Sequence, residues 1–321
     1  MSSALAAAIW LWRMSERTGL GPLELAALRS VSATAGSSGR HCRTTKTLEH
    51  LDSVESIGPA YGLPVLQDLG SSWRVHLTLL DLAGNWGSVA GDPMAGPQYT
   101  EVRLSPIGAL ALACEEYGVG PVPIGLVNGS LYRGGEAPPL DPGKALHAVQ
   151  ALIEDDMIPD GDLEALIGLP SLPTGGTVQG DIRGLYAGRK ASLQQSCRIT
   201  REEVQGRRVL VITGTPLGVA VDQIEQNLGD KGLNPLNVLP SPTGLVDVRQ
   251  ETSGRTGSRI VLVAARNADL DALEYWVRGV WPVTIETSCR FRGGIGEVLR
   301  TWAQHCRDDS SGLHALSALM S

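Results

Sequence analysis

At 321 residues, 42% apolar and 19% charged, the chain is long enough for two domains with their own cores and too apolar to be largely disordered. Its net charge of −7 argues against a uniformly basic nucleic-acid binder. Five cysteines, odd in number and without a C-x-x-C pair, point to neither a disulfide framework nor a zinc cluster and suit a reducing cytosol.

Residues 4–12 are apolar, but the run is far short of a membrane span and has no basic segment before it, so it reads as a packing helix or arm. Residues 1–50 carry a local charge of +3 against −10 for the remainder. A local basic face on an acidic body and ordinary solvated side chains both fit that asymmetry. Helical spacing is expected over 20–31 and again over 47–57, with a Ser/Gly-rich loop at 33–39 between them. That pair of short helices does not by its pattern alone distinguish one helical module from another.

Residues 81–105, DLAGNWGSVAGDPMAGPQYTEVRLS, set Tyr99 among glycines and charges where no core needs a tyrosine. Ser105-Pro106 then supplies an N-cap and a first-turn proline, and Gly118 a C-terminal stop, so Tyr99 is expected in a loop just ahead of a helix. A Gly/Pro-rich connector at 118–125 marks an expected domain boundary. Beyond it, Asp141-Pro142 starts a helix to about 156. Strands are expected at 209–213, 260–263 and 283–287, helices at 221–228, 268–280 and 296–306, and a frayed tail at 307–321.

The segment 81–105 resembles the active-site segment of the A subunit of bacterial type IIA DNA topoisomerases, D-G-Q-G-N-F-G-S-x-D-G-D-x-x-A-A-x-R-Y-T-E-x-R-L-S. Asp81, Gly84, Asn85, Gly87, Ser88, Gly91, Asp92, Ala95, Tyr99, Thr100, Glu101, Arg103, Leu104 and Ser105 keep its register without a gap, and Trp86 stands at its aromatic position. Tyr99 falls on the DNA-cleaving tyrosine. Gln98 stands where the family has arginine. Residues 17–28 resemble R-D-G-L-K-P-V-x-R-R-I-L, retaining Arg17, Gly19, Leu20, Pro22 and Leu28, with Gly21, Leu25 and Ala26 in place of basic residues. Of the family's H-P-H-G-D only Gly58 matches. Further likenesses, VNGS at 127–130, LPTGG at 172–176, YAGR at 186–189, RVLVITGTP at 208–216 and RQETSGRTGSR at 249–259, extend the resemblance over roughly 17–305.

The resemblance implies an α+β chain: a winged-helix-like DNA-cleavage module at 13–124, an α/β tower-like domain at 125–306 and the tail, without the family's coiled-coil gate and DNA-wrapping domain. It implies cleavage and re-ligation of double-stranded DNA through a phosphotyrosyl bond to Tyr99, with Arg103 assisting. A tyrosine of pKa about 10 needs a cation or base nearby to attack phosphorus, and the phosphoryl oxygens need positive charge in the transition state. Arg17, Arg43, Lys46 and Asn128 become expected DNA contacts, and Leu131 or Tyr132 the stand-in for the DNA-bending wedge. Magnesium and ATP are expected on a separate B-type ATPase subunit, with this chain as a homodimer inside a heterotetramer in the cytoplasm. No G-x-x-x-x-G-K-[ST] run is present, in keeping with that division.

Other readings stand beside these. A salt bridge from Arg103 to Glu101 or Asp92 is the plain alternative to a phosphate clamp, and turn chemistry is the favoured reading of Asn85 and Asp92. Ser88 lacks an identifiable histidine partner, and the glycines at 293–296 do not form a dinucleotide fingerprint. Gln98 and the missing basic positions favour an alternative: a catalytically impaired paralogue that acts as a regulator by binding DNA or a topoisomerase subunit.

Overall fold

The structure, a computed structural model, describes residues 15, 17–35, 39–129, 131–132, 135–233, 244–253, 257–291 and 294–321, with backbone only at 131–132 and 135–136. The apolar run at 4–12 lies outside these residues. Among them no helix is long and apolar enough to cross a membrane.

The chain opens with α1 (Pro22–Ala35), β1 (Cys42–Arg43), α2 (Thr44–Glu55), α3 (Pro59–Gly70), β2 (Leu80–Ala83) and β3 (Glu101–Leu104). The two short helices expected from spacing are α1 and α2; α3 is an addition. Its sequence, PAYGLPVLQDLG, carries two prolines and a glycine in its first half, which mask a helical pattern. Pro59 nevertheless sits in the first turn, where a missing N–H costs nothing, and Leu66 and Leu69 turn into the core. The three strands pair antiparallel in the order β1-β3-β2. Val102 is fully buried at the centre of that sheet.

Helix α4 (Pro106–Tyr117) forms as its caps dictate. Ser105 accepts from the Gly108 N–H at 2.9 Å, and Gly118 closes it at φ +70°. After α5 (Ile124–Asn128) and the two-stranded β4 (Leu131–Tyr132) and β5 (Gly135–Glu136), α6 (Pro142–Glu154) starts on Asp141, whose carboxylate accepts from the Lys144 N–H. Then come α7 (Asp160–Ile167), β6 (Thr177–Gly180), α8 (Ile182–Tyr186), β7 (Ala191–Ser196), β8 (Arg198–Val204) and β9 (Arg207–Gly214). The chain continues through α9 (Val221–Gly232), β10 (Leu245–Gln250), β11 (Ile260–Ala264), α10 (Leu270–Gly279), β12 (Thr284–Cys289), α11 (Gly294–Asp308) and α12 (Ser311–Met320).

Two antiparallel sheets shape this second part, in the orders β10-β11-β9-β8 and β12-β7-β6. The strand–helix pattern there fits either α/β or α+β, and the resemblance implies α/β; every pair of named strands is antiparallel, so the α+β class extends to this part as well. For one pair the cause is local: β8 and β9 are joined at Gln205 and Gly206, both at positive φ (52° and 72°), a two-residue hairpin turn whose twist suits antiparallel strands. Leu210 and Ile212 on β9 and Ile260 and Leu262 on β11 face α9 and α10 and form one core with Ile224, Leu228, Leu273 and Val277. The intervening valines, 209, 211, 261 and 263, make a separate cluster on the opposite face, as a period of two requires.

The larger core joins α1, α3, β3 and α4 to α6, α11 and α12, with Leu28, Val102, Val149, Trp302 and Leu316 all buried. It therefore draws on both sides of the 118–125 connector. The last residues differ from the expected frayed tail. Leu313 and Leu316, one helical turn apart, bring α12 down onto α4, and the Ser311 hydroxyl accepts from the Gly120 N–H at 3.2 Å.

None of the five cysteines is in a disulfide. Burial pushes the thiols of Cys114 and Cys306 up to about 11 and about 12, so both are protonated at neutral pH and inert. Only Cys42 is partly exposed. A thiol-reactive dye is expected to label one cysteine quickly in the native protein and the other four only after denaturant is added; rapid labelling of several would contradict this packing.

Candidate active site

Tyr99 closes a short 3₁₀ turn, Pro97–Tyr99, at the end of the long β2–β3 connection. Trp86, 3% exposed, anchors that connection: its indole N–H donates to the carbonyls of Ala83 (3.0 Å) and Glu101 (3.3 Å), and its own carbonyl accepts from the Gln67 side-chain amide at 2.6 Å. Asn85 accepts from the Gly87 N–H at 2.9 Å, and the Ser88 hydroxyl donates to Asp92 at 2.5 Å. Asn85 and Asp92 are thus turn residues, in line with their glycine neighbours. The carbonyls of Val89 and Ala90 accept from the Val221 and Asp222 N–H groups, so the connection is also tied to the first turn of α9.

The backbone on either side of Tyr99 is clamped. Its N–H donates to Gly96 O at 2.9 Å. Thr100, fully buried, donates through its hydroxyl to that of Thr44 at 2.8 Å, while its carbonyl accepts from the Thr44 N–H at 3.0 Å. Gly84 lies against the other side at φ +89°; a Cβ there would stand 2.7 Å from the Tyr99 carbonyl oxygen, so both the backbone conformation and the space require glycine. The side chain, by contrast, is 74% exposed. A rigid main chain thus presents a phenol to solvent, where the tyrosine of an ordinary core is inward and covered. Tyr99 does lie in a loop region, but the strand β3 stands between it and the helix that was expected to follow at once.

The positions expected to contact DNA divide into two groups. Arg43 and Lys46 are exposed at the end of β1 and the first turn of α2, the helix that packs on the Tyr99 turn. Neither side chain has a hydrogen bond or ion pair with another described residue, and the α2 N-terminus adds a partial positive charge beside them. Arg17 is elsewhere: it is exposed, and its guanidinium donates to Cys114 O at 3.3 Å, near the end of α4. Asn128 corrects the expectation placed on it. It is 7% exposed and grips Leu77 from both sides, its Oδ1 accepting from the Leu77 N–H and its Nδ2 donating to Leu77 O, each at 2.9 Å. A buried amide so engaged serves the core. Asn128→Ala is expected to cost about 1–3 kcal/mol by orphaning those backbone groups, measured as a shift in urea midpoint at unchanged slope. Leu131 and Tyr132 pair with Glu136 and Gly135 in the β4–β5 ribbon, and the side chains of the wedge candidates lie outside the described ones.

Arg103 stands opposite Asp81 across β2–β3 and is held by it: Nε and Nη2 donate to Asp81 Oδ2 at 2.7 and 2.6 Å, and Nη1 donates to Gly39 O at 3.1 Å. The ion pair is with Asp81 and not with Glu101 or Asp92. Cross-strand register carries this pairing, and the strands themselves were not visible in the sequence pattern.

No family model matches the chain. It is similar to the DNA gyrase A protein of Streptomyces coelicolor, 29% identical over 229 residues, covering 62% of this chain and 26% of that one. The DNA topoisomerase 4 A protein of Bacillus subtilis is 31% identical over 226 residues, covering 63% and 27% respectively. The DNA gyrase A protein of Granulibacter bethesdensis is 29% identical over 241 residues, covering 67% and 25%. The chain therefore spans about a quarter of the length of these relatives.

Proposed function

We propose that a divergent protein resembling the A subunits of DNA gyrase and DNA topoisomerase 4 cleaves and reseals double-stranded DNA, with Tyr99 as nucleophile. The observation that carries this reading is an exposed tyrosine on a clamped turn, with two cations whose side chains have no ion pair among the described residues, Arg43 just before the helix packed against that turn and Lys46 in its first turn. The Tyr99 oxygen attacks a backbone phosphorus, the phosphorus–O bond to the leaving sugar hydroxyl breaks, and the phosphotyrosyl ester keeps the bond energy needed for resealing.

Three helices and a three-stranded sheet in the order β1-β3-β2, with α2 and α3 between the first two strands, suit a winged-helix-like module over 13–124, and the remainder suits a tower-like domain over 125–306. The resemblance assigns magnesium and ATP to a B-type partner subunit, and the working unit to a dimer of this chain with that partner in a reducing cytosol. The chemistry derived from this chain is binding, orientation and nucleophilic attack.

Because Gln98 replaces arginine and Arg103 is engaged by Asp81, the phosphate-stabilising cation is assigned to Arg43. Arg43→Ala is expected to slow cleavage on the order of 10²–10³-fold, and Arg103→Ala to have a much smaller effect. Incubation with a B-type subunit, magnesium, ATP and supercoiled plasmid tests the activity; equal topoisomer conversion by native protein and Tyr99→Phe overturns it. The same Gln98 and Arg103 observations favour a second reading, a regulator that binds DNA or a topoisomerase subunit without cutting. Retained DNA binding with no conversion by any preparation selects it.

A further inference from the structure

A second concavity lies on the other part of the chain. A cleft of about 750 Å³ opens between the β6–β7–β12 sheet, β8 and α10, within the roughly 300–1,000 Å³ typical of small-molecule sites. Three cations line it, Arg198, Lys231 and Arg278, and no carboxylate does. Arg278 is engaged by Glu274 at 2.8 Å. Arg198 and Lys231 have neither a hydrogen bond through their side chains nor an ion pair with any described residue. On a chain of net charge −7, two uncompensated cations from different elements facing one concavity define a local site for an anion.

The remaining lining restricts the anion's chemistry. Tyr275 is 83% exposed, the most exposed large aromatic among the described residues, and it stands with Trp276 on the cleft wall. A tyrosine ring left open to water beside cations is the arrangement that stacks a planar base while its phosphate is neutralised. Gln179 and Gln194 are cross-strand partners on β6 and β7, and both line the cleft. Their amides both donate and accept, as recognition of a base edge requires.

We propose that this cleft binds a nucleoside phosphate, either free in solution or as the unpaired end of a nucleic-acid strand, with the phosphate on Arg198 and Lys231 and the base on Tyr275. The proposal rests on different residues from the Tyr99 reading and stands or falls separately from it.

Equilibrium binding to the full chain is measured with ATP, a 5′-phosphorylated single-stranded oligothymidylate, a blunt duplex of equal length and inorganic phosphate. Saturable binding of ATP or of the single strand is expected, weakening as salt rises. Arg198→Ala combined with Lys231→Ala is expected to weaken it by about tenfold or more, and Tyr275→Ala to do so on its own, with Tyr275→Phe retaining most of the affinity. Arg198 and Tyr275 are exposed and Lys231 is half-buried, and an unchanged circular dichroism spectrum verifies the fold of each variant. Binding of ATP assigns the free ligand; binding of the single strand without ATP assigns the strand end. The proposal is overturned if neither binds, if inorganic phosphate or duplex competes equally, or if either the cation or the tyrosine substitution has no effect.

Discussion

Tyr99→Phe is expected to abolish covalent DNA breakage while leaving the fold and DNA affinity in place. The substitution removes one oxygen from a side chain that is 74% exposed, so packing loses almost nothing. The turn beneath is held by main-chain and threonine contacts that Phe preserves: the bond to Gly96 and the buried Thr100–Thr44 pair. Removing a covalent nucleophile costs on the order of 10⁴–10⁶-fold in established cases, and here no second hydroxyl shares the turn. Gel shift of a duplex by both proteins, with cleavage by only the native one, is the expected pattern. A Phe variant that still nicks DNA at a comparable rate would remove Tyr99 from the chemistry.

The second large effect is on stability. Trp86→Ala is expected to destabilise the protein by about 3–5 kcal/mol, the range for truncating a buried large aromatic. Trp86 is 3% exposed and its indole N–H reaches the carbonyls of Ala83 and Glu101, so it ties the long connection to the strands on either side of it. The same change is expected to reduce DNA cleavage beyond the loss of folded protein, because the connection it anchors also presses Gly84 against the Tyr99 carbonyl. Trp86→Phe keeps an aromatic in place and is expected to retain most of the stability. Denaturant unfolding gives the comparison directly; a loss below about 1 kcal/mol for the alanine variant would contradict this anchoring role.

Much of the fold was legible because its signals are local. The caps at Ser105, Gly118 and Asp141 announced α4 and α6, and the apolar runs at 209–213 and 260–263 announced β9 and β11. What stayed hidden depends on partners far along the chain. Helix α3 hides behind Pro59, Gly62 and Pro64, and α12 is held by burial of Leu313 and Leu316 on α4. The edge strands β6 and β8 carry polar residues on their exposed faces. For the site, the frame around Tyr99 was readable from glycines and turn residues, since each marks a backbone requirement. The partners of Arg103 and Asn128 were not, because they follow from strand register and from the approach of Leu77 to α5.

Tyr99 itself is expected to become esterified to DNA. Native protein, incubated with a B-type subunit, magnesium and plasmid, is stopped with denaturant, digested with nuclease and protease, and its peptides are read by mass spectrometry. A nucleotide phosphate on the peptide containing Gln98-Tyr99-Thr100, localised to Tyr99, is the expected result. A DNA adduct on any other tyrosine, or unmodified Tyr99 in reactions where the plasmid has been cut, would contradict it.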